Sequence, residues 1–159
     1  MKSLTLVRRI AARPSIVFEA ITTAEGVATW WGPDDVPVIR AEMDARVGGA
    51  YRIRFRTLDG REHEACGEFL EVVPPRRIVM SWRFALGGEL DEEGRTSRIE
   101  FELAPIAEGT ELTFTHAGLS TEVSQKSHTW GWTGALDKLV LRAGNAGARA
   151  EHDLERRNT

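Results

Sequence analysis

Two histidines are the side chains whose positions in this sequence most suggest chemistry. His116 ends a predicted strand with its side chain on the inner face, and His128 lies two residues before Trp130. The predicted fold brings both histidines to one end of a sheet–helix interface. As a metal pair they would need a third ligand, which the sequence does not identify. Two interpretations stay open: polar groups that orient a ligand in an apolar pocket, or histidines that hydrogen-bond at the ends of their elements.

Two glutamates are the candidate carboxylates for acid–base chemistry near such a pocket. Glu68 and Glu71 bracket Phe69 on a predicted strand, and a change in the alternation pattern predicts a bulge near Glu68. A glutamate turned inward there would be costly to bury unless it is paired, and it would then be a functional candidate. If both glutamates face outward, they are ordinary solvated side chains.

Composition and missing motifs exclude several classes of function. The sequence has no Gly-rich phosphate loop, no paired-cysteine motif and no Gly-x-Ser-x-Gly, so we expect no cofactor and no metal. The net charge of -3 argues against nucleic-acid and anionic-membrane binding. No apolar run approaches the roughly 18 residues of a membrane span. The single cysteine, Cys66, fits a reducing cytoplasm, and we expect it to be a small buried side chain.

Aromatic residues are the more informative feature, because five tryptophans and six phenylalanines exceed what a simple filled core needs. The tryptophans come from three distant segments that surround one face of the predicted sheet. A bent sheet clasped around a helix readily leaves a cavity lined by such residues. We predict that the apolar lining consists of Trp31, Phe55, Phe69, Trp82, Phe101, Phe114 and Trp130, with His116 and His128 as polar groups.

A long helix near the C-terminus must position half of this site. Apolar residues recur at helical spacing from Thr121 to Ala143, with Ser120 or Thr121 as the N-cap. Gly144 stands where a C′ glycine would end the helix. The apolar stripe is Trp132, Leu136, Leu139, Val140 and Ala143. We therefore predict one domain over residues 1–144 and a solvated polar tail over residues 145–159.

The preceding chain predicts an antiparallel sheet. A first strand at about residues 3–10 is followed by a helix that Pro14 opens and by a second short helix that carries Trp30 and Trp31. Turn signals, including Asp59-Gly60 and an acidic loop at residues 87–94, then separate six short runs of alternating residues. These runs are Val38–Asp44, Ala50–Leu58, Glu62–Val73, Arg77–Phe84, Thr96–Leu103 and Thr110–Thr115. The predicted fold class is α+β, with six to seven strands covered by the long helix.

The order of several short motifs resembles a known family. They are Pro14, Trp30-Trp31-Gly32-Pro33, Gly48-Gly49, Asp59-Gly60, Gly67, residues 71–78, Ser81-Trp82 and Gly131-Trp132 followed by Leu136 and Leu139. From about Leu4 to Ala143 the sequence is similar to stand-alone bacterial domains related to the activator of Hsp90 ATPase, in the START-like (Bet v 1-like, SRPBCC) superfamily. The resemblance implies a helix-grip fold, in which a curved antiparallel sheet wraps around a long C-terminal helix with a hydrophobic cavity between them.

The resemblance implies no single activity, because members of the superfamily bind lipids, polyketides and hormones, and some act as cyclases or aromatases. Our first hypothesis is a protein that binds a small hydrophobic or amphipathic molecule in that cavity. The second is a cyclase- or hydrolase-like enzyme on a cyclic or polyketide substrate, with Glu68, Glu71, His116 and His128 as its candidates. The third is a chaperone-related protein-interaction module. The resemblance is also compatible with a homodimer.

Overall fold

The computed structural model describes residues 1–87 and 95–157, which form one sheet and three helices. In chain order the elements are β1 (Lys2–Ile10), α1 (Pro14–Thr22), α2 (Ala24–Val27), β2 (Arg40–Met43), β3 (Ala50–Arg56), β4 (Glu62–Val73), β5 (Arg77–Leu86), β6 (Ser97–Ile106), β7 (Gly109–Leu119) and α3 (Glu122–Arg157). This order confirms the α+β prediction. The predicted acidic turn lies, apart from Gly87, outside the described residues.

Neighbouring strands in the described chain pair antiparallel in the order β1-β7-β6-β5-β4-β3-β2. From β2 to β7, each strand pairs with the next strand in the sequence, whereas β1 forms the other edge of the sheet, beside β7. The sheet is curved, and α3 lies across its inner face. The helix-grip architecture that the resemblance implied is therefore confirmed.

Alternation along β3 decides which face is buried. Tyr51 is 2% exposed and Ile53 is fully buried, while Arg52 between them points outward. The Nη1 atom of Arg52 lies 3.1 Å from Oε2 of Glu64 on β4. Successive side chains of a strand point to opposite faces, so this strand separates an apolar inner face from an ion-paired outer one.

The bulge predicted near Glu68 lies slightly further along β4. The pairing register with β5 shifts between Phe69 and Glu71, which makes Leu70 the extra residue. Phe69 is fully buried, but Glu68 and Leu70 are exposed. The irregularity therefore keeps Phe69 in the core without turning Glu68 inward.

The second helix is shorter than predicted. It spans Ala24–Val27, and Trp30 and Trp31 follow it in a turn. The Oγ1 atom of Thr23 accepts a hydrogen bond from the Gly26 N–H and caps this single turn. The short element thus delivers both indoles to the inner face of the sheet.

The predicted end of α3 at Gly144 is wrong, because the helix continues to Arg157. A glycine ends a helix as a C′ residue by adopting left-handed backbone, and Gly144 is not among the positive-φ glycines of the structure. The sequence after Gly147 is rich in Ala, Arg and Glu, which are strong helix formers. The polar segment predicted as a tail is therefore helical through Arg157, while Thr121, as predicted, caps the N-terminus by accepting the Ser124 N–H.

Trp132 anchors α3 to the sheet. Its ring centroid lies 4.4 Å from that of Phe114 on β7, and its side chain is only 5% exposed. Leu136 and Leu139, one and two turns further on, are fully buried. The stripe predicted from helical spacing is the face that covers the sheet.

Replacing Trp132 by alanine should lower the free energy of unfolding by about 3–5 kcal/mol, because a large buried ring leaves a cavity. Trp130→Ala is the matched control, since Trp130 is 64% exposed on the same helix. We expect the control to change stability by less than about 1 kcal/mol. Urea unfolding followed by circular dichroism measures both, and equal losses would contradict the anchoring role of Trp132.

The glycines of α3 should respond differently to alanine. Gly144→Ala should stabilise the protein by up to about 1 kcal/mol, because a Cβ there meets no atom within 4 Å. Gly134→Ala should destabilise it, because that Cβ would lie 2.2 Å from the carbonyl oxygen of Pro33. Thermal unfolding of both variants checks this, and a destabilised Gly144→Ala would show that the helix does end at this residue.

Candidate functional site

Most of the space between sheet and helix is filled by aromatic rings. Trp30, Phe69, Phe101 and Phe114 are all fully buried. The ring centroid of Phe101 lies 6.3 Å from that of Trp30 and 5.0 Å from that of Phe114. Under the middle of α3 these rings form a solid core.

A pocket of about 140 Å³ remains at one end of the interface. It lies between the first half of α3, the segment that follows α2, the β3–β4 hairpin and the end of β5. The lining residues are Trp31, Gly32, Pro33, Phe55, Thr57, Arg61, His63, Trp82, Phe84, Ser127, His128, Trp130, Gly131, Trp132 and Ala135. The walls are thus largely aromatic, and the polar groups are hydroxyls, imidazoles and one guanidinium.

The predicted site residues divide between this pocket and the filled core. Those that line the pocket are Trp31, Phe55, Trp82, His128 and Trp130. Those that lie in the core and do not line it are Phe69, Phe101, Phe114 and His116. Trp130 is 64% exposed and stands at the rim, unlike the other four lining residues. That any of them contacts a ligand stays a prediction.

Trp82 lies at the centre of the pocket wall. Its ring stacks on that of Trp31 with centroids 5.7 Å apart and meets Phe84 edge-on at 5.3 Å. Trp132 packs against both indoles, 5.2 Å from Trp31 and 5.3 Å from Trp82. Such offset and edge-to-face pairs hold each other in place, which makes the wall rigid.

His116 supports the wall from behind. Its Nδ1 accepts a hydrogen bond of 3.0 Å from the indole N–H of Trp132, so its proton is on Nε2, which lies 2.7 Å from Oγ of Ser97. Burial, together with the nearby His128, holds the pKa of His116 well below its ordinary value. His116 is therefore a neutral structural residue that fixes Trp132.

His128 faces the pocket from α3. Its Nδ1 lies 2.9 Å from the backbone carbonyl of Ser124 and therefore donates to it. The imidazole rings of His128 and His116 meet edge-on with centroids 4.7 Å apart. The two histidines that the sequence placed together are adjacent, but only His128 lines the pocket.

His63 lines the pocket but was not among the predicted site residues. It is half-buried, and its ring stacks on Phe55 with centroids 5.3 Å apart. Burial, followed by the charge of Arg61, lowers the pKa of His63. The sequence could have indicated this position, because the Asp59-Gly60 turn makes Phe55 and His63 direct cross-strand partners, and such partners share a face of the sheet.

Lys138 was also missed, and together with Gly134 it positions the pocket segment at residues 31–35. The Nζ atom of Lys138 donates to the carbonyl oxygen of Asp34 at 2.6 Å, and burial lowers the pKa of this amine. Gly134 lets the Pro33 carbonyl lie against the helix backbone. On the other side, Oδ2 of Asp34 accepts the Leu58 N–H. The segment that carries Trp31 is thus fastened to both α3 and the β3–β4 hairpin.

The two glutamates predicted as acid–base candidates do not line the pocket. Glu68 is exposed on the outer face of β4. Glu71 accepts a hydrogen bond of 3.1 Å from Nε of Arg77. The bulge falls after Glu68, so it turns neither carboxylate inward. Of the two alternatives, the structure favours outward-facing side chains.

A larger groove of about 1090 Å³ runs along the outside of α1, α2 and the C-terminal half of α3. Arg13, Glu19, Lys138, Arg142 and Arg149 are among its lining residues. Charged residues of both signs line this groove, and it does not lie between the sheet and the helix. We therefore regard the smaller aromatic pocket as the candidate site.

Among residues 1–87 and 95–157, no group of three or more His, Cys, Asp or Glu side chains is placed to hold a metal ion. None of the helices in the described chain is long and apolar enough to cross a membrane.

With the fold and the pocket established, comparison with known proteins identifies the family. Residues 11–143 match the sequence model of the Activator of Hsp90 ATPase homolog 1-like proteins. The chain therefore belongs to this family, within the START-like superfamily. No protein of curated function is significantly similar to the chain.

Solved bacterial structures share the fold over nearly their whole length. A protein from Chromobacterium violaceum is 28% identical with a TM-score of 0.78, and the match covers 91% of this chain and 99% of that one. The AHSA1 protein from Silicibacter pomeroyi is 25% identical with a TM-score of 0.76, over 89% and 96% of the two chains. An AHSA1-like protein from Aeromonas hydrophila, 20% identical with a TM-score of 0.69 over 92% and 94%, supports the fold alone.

The buried neutral His116 should make stability depend on pH. The unfolded chain binds a proton at His116 near pH 6.5, whereas the folded chain resists it, so the free energy of unfolding should fall as the pH drops from about 7 to about 5. The His116→Gln variant should be less stable than wild type at about pH 7, but its free energy of unfolding should fall less than that of wild type when the pH is lowered. Urea unfolding at both pH values measures this.

The control is His152→Gln, which removes an exposed imidazole near the end of α3. It should keep the wild-type pH dependence. A His116→Gln variant with the same pH dependence as wild type would contradict the assignment of a neutral His116.

Proposed function

We propose that this protein binds a small hydrophobic or amphipathic molecule with its apolar part in the aromatic pocket. The observation that carries the proposal is the pocket itself, which stays open where rings fill the rest of the interface. Ligand sites are typically concave and mostly apolar, with a few polar groups that fix orientation. The walls formed by Trp31, Phe55 and Trp82, with His63 and His128 beside them, have this composition.

The volume limits what part of a ligand can enter. An apolar cavity of about 150 Å³ accepts a benzene ring, so a pocket of about 140 Å³ takes one ring or a short branched chain. A larger ligand would extend past the rim, where Trp130 is exposed. An amphipathic molecule could place its apolar end in the pocket and its polar end at the exposed rim.

Catalysis has less support than binding. General acid–base work needs a titratable group within reach of the reacting atoms. No carboxylate lines the pocket in the described part of the chain, and its titratable side chains are Arg61, His63 and His128.

The protein-interaction alternative would use the exposed side chain of Trp130, but the position of Trp130 at the rim of the pocket explains this exposure equally well. Homodimer formation and a cytoplasmic location remain predictions from the sequence.

Native mass spectrometry of protein purified from its own host is the direct test. A stoichiometric small molecule that leaves on denaturation is the expected result, and its mass gives its chemical class. A fully apo protein that also fails to bind small aromatic probes would contradict the proposal.

Filling the pocket should abolish binding. Ala135 is 2% exposed and lines the pocket, so in Ala135→Leu the larger side chain should occupy the space of a ligand ring. We expect the affinity for a neutral probe, phenylacetamide, to fall by about tenfold or more in a saturation-transfer NMR titration. Ala148→Leu adds the same side chain to an exposed position of α3 and should bind like wild type. A folded Ala135→Leu protein with unchanged affinity would show that the probe binds elsewhere.

A further inference from the structure

Arg61 places a guanidinium group at the mouth of the aromatic pocket. It follows the Asp59-Gly60 turn and lines the pocket beside Thr57 and His63. Its side chain is exposed. Within the described residues, no carboxylate oxygen lies within 4.0 Å of its guanidinium nitrogens.

The arginines of β3 have carboxylate partners on the outer face. Arg52 pairs with Glu64 at 3.1 Å, whereas Arg54 and Arg56 share Glu62, at 3.1 and 3.8 Å. Arg61 differs from them, because it lines the pocket instead of forming an ion pair on the sheet. Among the described residues, Arg61 is thus a cation with no carboxylate within 4.0 Å at the place where a ligand would enter.

The nearby carboxylate of Asp59 is occupied by the turn. Its Oδ1 accepts hydrogen bonds from Oγ1 of Thr57 at 2.5 Å and from the backbone N–H of Arg61 at 3.0 Å. These bonds, in that order, lower the pKa of Asp59. After burial, the charges of Arg61 and Asp59 both act on His63, where Arg61 lowers the pKa and Asp59 raises it.

We propose that the pocket selects a small aromatic acid, whose ring lies against Trp31 and Trp82 and whose carboxylate pairs with Arg61. This inference rests on the proposed function, because it assumes that the pocket binds a ligand. A guanidinium presents paired N–H donors that match the two oxygens of a carboxylate. The pocket walls carry no carboxylate in the described residues, so an anion that enters meets no like charge there.

The size of the pocket sets the class of acid. One ring fills about 140 Å³, so the anionic group must be attached directly or through a short link to reach the mouth. Phenylacetate fits this description, and phenylacetamide has nearly the same shape without the charge. The pair therefore isolates the contribution of the anion.

The test compares the affinities of these two probes by saturation-transfer NMR titration in wild type, Arg61→Gln and Arg76→Gln. Arg76 is exposed in the β4–β5 turn, away from the pocket, so its variant is a matched loss of charge. Wild type and Arg76→Gln should bind phenylacetate about threefold to tenfold more tightly than phenylacetamide. Arg61→Gln should lose this preference, because its affinity for phenylacetate should fall by a larger factor than its affinity for phenylacetamide.

The outcomes separate this inference from the proposed function. If wild type binds phenylacetamide in a manner that Ala135→Leu blocks but does not prefer phenylacetate, the inference is wrong and pocket binding stands. A preference for phenylacetate that survives in Arg61→Gln also overturns it. If wild type binds neither probe, pocket binding of single-ring ligands fails, and the inference fails with it.

Discussion

The hydrogen bond from the Trp132 indole to His116 constrains much of this structure. Both groups are buried between helix and sheet, where an unpaired donor or acceptor costs about 1–3 kcal/mol. The bond requires a lone pair on Nδ1, so His116 must stay neutral and direct its proton to Ser97. One polar contact therefore fixes the tautomer of the histidine, the position of the indole and the register of α3 on the sheet.

The rings around Trp132 explain why a pocket exists at one end and a solid core at the other. Toward β7, Trp132 packs against Phe114, and the space is filled. Toward the hairpin, it meets Trp31 and Trp82, whose rings stand as walls facing a gap. The segment that carries Trp31 cannot collapse into this gap, because Lys138 holds the neighbouring backbone against the helix.

Much of the fold followed from periodicity, because most strands alternate and the long helix repeats at 3.6 residues. The end of α3 could not be predicted in this way, because a glycine ends a helix through its backbone angles and not through its identity alone. The pocket was harder to predict than the fold. Phe55 and Phe101 are both inward residues of alternating strands, but only Phe55 lines the pocket.

His63 and Lys138 show which contacts the sequence could have predicted and which it could not. His63 could have been placed in the pocket from the hairpin register, because it lies opposite Phe55. The contact of Lys138 with the Asp34 carbonyl joins residues 104 positions apart, and no local pattern encodes it. Sequence reasoning therefore succeeds for pairs linked by a turn and fails for contacts that depend on tertiary packing.

The length of α3 has a practical consequence for studying this protein. Its 36 residues extend about 54 Å, and every residue from Glu151 to Arg157 is exposed. Along the helix axis, Arg156 lies roughly 30 Å from Ala135 in the pocket wall. Cys66, the single cysteine, is buried. A cysteine introduced at position 156 would thus be an accessible thiol remote from the pocket, where a fluorophore or a surface linkage leaves the mouth unobstructed.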